Sequence, residues 1–233
     1  MSSKPAATIS SMHTCPMCSG STPHIGGPIT TGEANIMHNN KPAATVESQC
    51  ICAIGGPDTI VQGHPAIFHN GKPAAMVGHM TAHGGIITTG EANITHGFVT
   101  EPMEPYTMST AKIPFPQIGI TNRLLGNTTE AQANQQALQQ QAENTEGEPK
   151  VYNYQWRKER TVIRDRKVLK IVTLTADVIH IPDGGNATIK VLIPANDESQ
   201  ETQVVELTGV VKDKQVTVEW ELEDASANEN SNS

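Results

Sequence analysis

The first 97 residues contain a single aromatic side chain, Phe68, and only seven charged residues. Across the whole chain aromatics reach 3% and hydrophobic residues 36%, which is lean for a large globular core. No run of 18 apolar residues occurs, so no membrane-spanning helix is predicted. The opening "MSSKPAATISSMHTC" lacks an apolar core of signal-peptide length. The expectation is synthesis in the cytoplasm without a signal peptide, with any export by another route. A net charge of −8 and a pI near 5.6 argue against a nucleic-acid partner. Cysteine is scarce as well: four residues, all within the first 52 and all near histidines. In a reducing compartment that pattern favours metal over disulfide.

What the N-terminal part holds instead is glycine and histidine, with 13 of the 19 glycines and eight of the nine histidines in residues 1–97. Residues 98–233 carry most of the charge and both tryptophans. The shift predicts a domain boundary. Within residues 1–97 the sequence repeats. "KPAA" occurs at Lys4, Lys41 and Lys72; a double glycine follows at Gly26-Gly27, Gly55-Gly56 and Gly84-Gly85; then come "TTGEANIMHNN", "VQGHPAIFHNG" and "TTGEANITHG". The third copy stops at Gly97, where a fourth "KPAA" would start, so the pattern is circularly complete. Three copies predict a unit with pseudo-threefold symmetry.

Each copy reads as short strands. "ANIMH", "AIFH" and "ANITH" alternate about a central isoleucine. Asn70-Gly71 is a strong tight-turn signal and Asn39-Asn40 a weaker one. Prolines 5, 42 and 73 cannot donate to a ladder and belong at bends or edges. Short hairpins with so few large side chains are marginal by themselves, and a metal is the natural staple. A metal-capable residue precedes each double glycine: His24, Cys52 and His83. Threefold symmetry would bring these to one point on the axis. A tetrahedral zinc needs a fourth ligand, and His13, Cys15, Cys18 and Cys50 are the candidates. "CPMC" has no second Cys-x-x-Cys to complete a zinc finger, and the "SGSTP" that follows is a poor helix start for a redox motif. The acids of this region, Glu33, Glu47, Asp58 and Glu91, stand away from the ligand positions, and no His-Glu-x-x-His occurs. This pattern favours a closed structural zinc over a catalytic one.

The triplicated "PAA", "MHTCPMCSGSTPHIGGPI" and "MTAHGG" resemble the PAAR-repeat proteins. The resemblance covers about residues 1–97. It implies a small cone of β-hairpins that caps the trimeric VgrG-type spike of a type VI secretion system, sharpens it for membrane piercing and carries effectors. It also implies one structural Zn2+ held by three histidines and one cysteine. Carried onto this sequence, that set is His13, His24, Cys52 and His83, with Cys15 able to replace His13. Such a protein is not an enzyme and leaves the cell through the secretion machinery, to the target cell or the medium. The chain departs from the family pattern in carrying His38, His69 and His96 ahead of the turns into "PAA", where an aliphatic residue is usual. Three imidazoles on one axis could bind a second metal, serve as the zinc site itself, pack and hydrogen-bond, or face the spike.

The remainder divides further. Residues 98–149 read as a linker, rich in proline and then glutamine, with a helix candidate from Thr128 whose only large apolar residue is Leu138. That composition predicts a solvated spacer. From about residue 150 to 224 some six strands predict a β-sandwich of immunoglobulin-like or transthyretin-like type, with Trp156 and Trp220 in its core. Residues 225–233 predict a disordered tail. The fold class expected is therefore all-β: an N-terminal cone of short hairpins, a linker with a helix, and a C-terminal sandwich. The sandwich shows no catalytic constellation, and His180 in it reads as structural. It reads as an adaptor that docks an effector or braces the spike. The alternatives are that residues 150–224 are themselves a small secreted effector, or that the protein tips another contractile injector such as a phage tail.

Overall fold

The computed structural model describes residues 3–97, 104–164, 167–193 and 203–223. It is mostly β, with two helices, and divides into two units, Met1–Asn144 and Thr145–Ser233. The predicted tail and the turn "ANDESQ" lie outside the described residues.

The first unit is organised around a closed ring of backbone hydrogen bonds. The N–H of Ala7 donates to the carbonyl of Ala75 (3.0 Å), that of Ala44 to Ala7 (2.9 Å), and that of Ala75 to Ala44 (2.9 Å). These are the second alanines of the three "PAA" motifs. All three are 0–1% exposed, because three main chains that bond each other in a ring leave room for little beyond a methyl group. Against them pack Ile29, Ile60 and Ile87, with Cys50 filling the same core. The isoleucines follow the double glycines at equivalent places in the three copies. The repeat is thus the unit of structure.

Around this axis run the hairpins. His38 pairs with Lys41 and His69 with Lys72 across two-residue turns. Asn39 (φ 50°), Asn40 (φ 62°), Asn70 (φ 52°) and Gly71 (φ 76°) all take the left-handed backbone that such turns require. In the third position the hairpin is made by the two ends of the repeat region: Lys4–Ala6 pairs with Glu91–His96, Lys4 opposite His96. The circular completeness of the sequence is a physical closure. Each motif is also tied by the same side-chain cap. The N–H of Thr8 donates to Ser11 Oγ and that of Thr45 to Ser48 Oγ, both at 3.0 Å, while in the third copy Met76 N–H donates to His79 Nδ1 at 3.3 Å.

Two acids clip neighbouring copies together. Glu91 accepts hydrogen bonds from Lys41 Nζ (2.8 Å), Asn39 Nδ2 (2.7 Å) and Thr8 Oγ1 (2.9 Å). Glu33 accepts from Asn70 Nδ2 (2.7 Å) and Thr45 Oγ1 (3.4 Å) and faces Lys72 Nζ at 3.4 Å. The equivalent residue of the middle copy is His64, which has no carboxylate to offer.

The segment predicted as a solvated spacer folds back onto the repeats, which is why the first unit extends to residue 144. Helix α1 spans Ile120–Leu125 and helix α2 Thr129–Glu143. In α2 the buried residues are Ala131, Gln135, Leu138 and Ala142, spaced to line one helical face. Leu138 is fully buried with Val46, Val61, Ala82, Met108 and Ile113. Small residues let the helix approach closely, so one leucine suffices as its anchor.

The second unit is one curled antiparallel sheet in place of the expected two-sheet sandwich. Its five strands are Lys150–Arg164, Lys167–Ile179, Asn186–Ile193, Gln203–Lys212 and Gln215–Glu223. In order across the sheet they run first, second, fifth, fourth, third. The two segments read as separate strands around Trp156 and Thr161 are one long strand, interrupted by irregular register at residues 152–158. The last two strands pair only near their turn, at Val211–Val216 and Lys212–Gln215. The pair 186–193/203–212 therefore splays away and folds over the other three. A core of Leu174, Ala176, Val178, Ala187, Ile189, Val211, Val216 and Val218 fills the inside of the curl. Trp220 packs on that core, but Trp156, expected inside, is 62% exposed. Asp183 holds the tight turn by accepting the N–H groups of Asp213 (2.9 Å) and Lys214 (3.2 Å).

Two outcomes follow from these contacts. Leu138→Ala should destabilise the first unit by about 2–5 kcal/mol, read by denaturant unfolding; a change within ~0.5 kcal/mol would restore the spacer reading. The hydrogen bonds from Lys41, Asn39 and Thr8 hold the Glu91 carboxyl down at about 2 against the usual 4.5. A depressed carboxylate stabilises the fold above its ordinary pKa, and that stabilisation is lost as pH falls through the folded value. The melting-temperature gap between wild type and Glu91→Gln should be full near neutrality and shrink between pH 4.5 and about 2. A gap that does not change over that interval would show that the clip contributes nothing.

Candidate metal centre

The hairpin of "CPMCSGSTPH" explains how two residues nine apart meet. Cys18–Ser19 pairs with Thr22–Pro23 across Gly20-Ser21, and His24 N–H returns to Met17 O at 2.8 Å. This folds His24 back against Cys15. Cys52 comes from the end of strand Gln49–Cys52, and His83 from the turn that precedes Gly84. The double-glycine turns bring these segments together. At Gly26 (φ 78°) a Cβ would collide with the carbonyl of His13, and at Gly55 it would enter the His24 ring. Only glycine allows both close approaches.

The result is a buried group of Cys15, His24, Cys52 and His83, whose ligand atoms all lie within 4.8 Å of one another. Cys15 Sγ is 3.5 Å from His24 Nδ1 and 3.6 Å from His83 Nδ1. Bonds of about 2.3 Å to sulfur and about 2.1 Å to nitrogen, at a tetrahedral angle, set S and N about 3.6 Å apart. The donor set therefore fits a metal ion of tetrahedral preference. Ser19 Oγ lies 2.9 Å from the other ring nitrogen of His24 and so fixes which nitrogen faces the sulfur. Burial, then the neighbouring His83, lowers the pKa of His24; burial lowers that of His83 against the opposing pull of Asp58. Both imidazoles are thereby kept in the neutral form that ligates. Burial pushes the Cys15 thiol up, with the nearby Cys52 adding to the effect. A bound cation is what would reverse that.

Of the four residues carried over from the resemblance, the structure brings together His24, Cys52 and His83, and it puts Cys15 beside them in place of His13. His13 is 2% exposed and engaged elsewhere. Its Nδ1–H donates to Gly27 O at 2.8 Å, and its Nε2 faces Asp58 Oδ2 at 3.5 Å. Alternation along Met12–Thr14 makes His13 an inner residue of the three-stranded sheet with 27–28 and 86–87. Cys15, just past the strand, is free to turn toward the group. Cys18 lies by the carbonyl of Asn127 at 3.4 Å, and Cys50 is in the axial core, so neither joins the cluster.

Sequence reasoning missed two supports. Asp58, six residues past Cys52, is buried at the centre. Its Oδ1 accepts Thr59 N–H (2.7 Å) and His83 N–H (3.1 Å), and its Oδ2 stands 3.7 Å from His83 Nδ1. Burial would raise its pKa, but His13, His83 and the Thr59 amide together hold it below the usual carboxylate range. The second support is the helical segment. Asn122 Nδ2 donates to Cys18 O, Asn127 Nδ2 to Gly20 O (2.6 Å) and Asn134 Nδ2 to Gly84 O (2.8 Å), while Ala131 packs on Cys15, Met17 and Cys52. The asparagines clamp the loops that carry the ligands. Their scattered positions gave no signal of this; the stripe Ala131, Gln135, Leu138, Ala142 did.

His38, His69 and His96 also converge, as a second group with ligand atoms within 4.8 Å of one another. They hold the same place in the three hairpins, and each faces a lysine across its pairing.

Residues 19–89 match the PAAR motif family. The match runs from the ligand hairpin of the first copy to the third double glycine and beyond, and so covers most of the repeat unit. It agrees with the resemblance read from the repeats and supports a spike-tip role, in general terms, of the type VI kind. The buried Cys2His2 group accords with the metal binding of that family. No curated protein matches the sequence.

Cys15→Ser should cost the purified protein the ion of the Cys2His2 group, leaving it one equivalent of metal short of wild type. His13→Asn, which frees Asp58 and removes the ring's bond to Gly27 O, should keep the metal and weaken its affinity about 10–100-fold. Elemental analysis and competition with a chelator check both. The reverse pattern would return His13 to the ligand set and remove Cys15.

Proposed function

We propose that this protein is the non-enzymatic tip of a type VI secretion spike, capping a trimeric VgrG-type protein and stapled by one structural Zn2+ at Cys15, His24, Cys52 and His83. The observation that carries the proposal is the closed threefold ring of repeats with a buried Cys2His2 group at its double-glycine turns, most of it within the residues 19–89 that match the PAAR motif. Two thiolates and two imidazoles suit zinc. Four protein ligands leave no position for water, so the ion would stabilise rather than catalyse. Because metal affinity becomes folding free energy, the ion would lock three loops that have little apolar core of their own.

The ends of the unit suit the two tasks of a tip. Ile25 (70% exposed) and Ile54 (58% exposed) stand directly before the double glycines, giving that end an apolar surface to enter a membrane. Ile36, Ile67 and Ile94 are equivalent and only half-buried. They offer one apolar contact to each chain of a trimer, so that one pseudo-symmetric chain satisfies a true threefold axis. The second unit carries or recruits effector cargo in this reading. Its exposed Tyr154 and Trp156 (56% and 62%) are the kind of aromatic anchor that such docking uses. The protein would be made in the cytoplasm and leave with the spike.

Mixing the full chain with the trimeric spike protein should give a complex of one chain per three spike chains, read by native mass spectrometry. Substituting Ile36, Ile67 and Ile94 together with serine should abolish it. A complex of three chains per trimer, or none at all, would overturn the cap.

A further inference from the structure

We infer that His38, His69 and His96 form a second metal site, an all-nitrogen triad for a divalent transition-metal ion, separate from the Cys2His2 group. The three residues are symmetry equivalents: His38 precedes the Asn39-Asn40 turn, His69 the Asn70-Gly71 turn, and His96 the closure onto Lys4. Their rings meet pairwise with centroids 5.3, 5.6 and 5.7 Å apart, tilted or edge-on rather than stacked. One ring nitrogen from each lies within 4.8 Å of the others. Bonds of about 2.1 Å place ligand nitrogens about 3.4 Å apart, a distance that small ring rotations reach.

The second observation is what these nitrogens lack. His38 Nδ1, His69 Nε2 and His96 Nε2 are buried without a hydrogen-bond partner. Packed imidazoles normally satisfy such atoms; three that converge at one point leave them for a common occupant. Among the described residues nothing acidic joins the triad. The nearest carboxylates, Glu33 and Glu91, are taken up by the lysine and asparagine clips. The surroundings add two further histidines. His64 replaces the clip glutamate of its copy, with its ring 6.3 Å from that of His96, and His79 replaces the cap serine. Burial lowers the pKa of all three triad members, that of His96 to about 4 with help from His69 and His38. Three nitrogens leave a further coordination position open, as in sites that take a water or an exogenous ligand. His38 is the least buried of the three and marks the side of entry.

The test uses the full, untagged chain loaded with Co2+ and, separately, Zn2+, followed by gel filtration and elemental analysis. Wild type should hold two ions per chain. His38→Ala, at the more exposed member, and His69→Asn should each hold one and keep the thiolate-to-cobalt absorption of the cysteine site. Cys52→Ser should lose that absorption yet retain the weaker ligand-field spectrum of an all-nitrogen site. Circular dichroism on each variant shows that the repeat unit is folded. One ion per chain in wild type, or two that persist in folded His38→Ala and His69→Asn, would overturn the second site. Loss of metal in Cys52→Ser alone bears only on the first.

Discussion

Three hydrogen bonds among Ala7, Ala44 and Ala75 set the geometry of the first unit. They bring three chain segments so close that the axis admits methyl groups and, one layer on, a single isoleucine from each copy. Everything large must then lie outside. This accords with the scarcity of large aromatics in residues 1–97, where the rings that are buried are imidazoles set away from the alanine axis. A core this thin supplies little hydrophobic stabilisation. Specific polar contacts take over: the capped turns, the two carboxylate clips and a buried Cys2His2 group.

The helical segment belongs to the same balance. α2 contributes one leucine and several small side chains to the outer core, and it contributes asparagines to the carbonyls of the ligand loops. Those loops hold the left-handed glycines and have few ladder bonds of their own. Without the clamp the four ligand side chains would hang on flexible turns. With it, the geometry exists before any ion arrives, so less ordering has to accompany binding.

The repeat period made the first unit legible. Three "KPAA" motifs and three double glycines, 29 residues apart, define which residues share a place, and that placed His24, Cys52 and His83 together and put His38, His69 and His96 in one ring. Symmetry cannot specify the fourth ligand, because that residue has no counterpart in the other copies. Both His13 and Cys15 lie in range, and the choice turns on a strand that points His13 inward to Gly27 and Asp58. Asp58 was hidden because proximity in sequence was the only measure available for it. In the second unit, alternation located the strands but not their closure. Whether two sheets face each other or one curls is decided by how far the last two strands stay paired, and in this sheet they part after two residue pairs. Trp156 was expected inside because large rings usually are, yet the irregular register of its strand leaves it outside.

The pairing of Lys4–Ala6 with Glu91–His96 makes the repeat unit a ring with a seam. The other two hairpins are local and can form as soon as their turns exist. The seam joins segments separated by the whole repeat, so it carries the largest loop-closure entropy and governs the order of folding. Until it shuts, Ala7 cannot accept from Ala44 or donate to Ala75, and the axis stays open. A repeat unit cut instead at either asparagine turn, with the present seam joined, would keep the alanine ring of the axis while moving the slow step elsewhere, since a circle has no preferred point of entry.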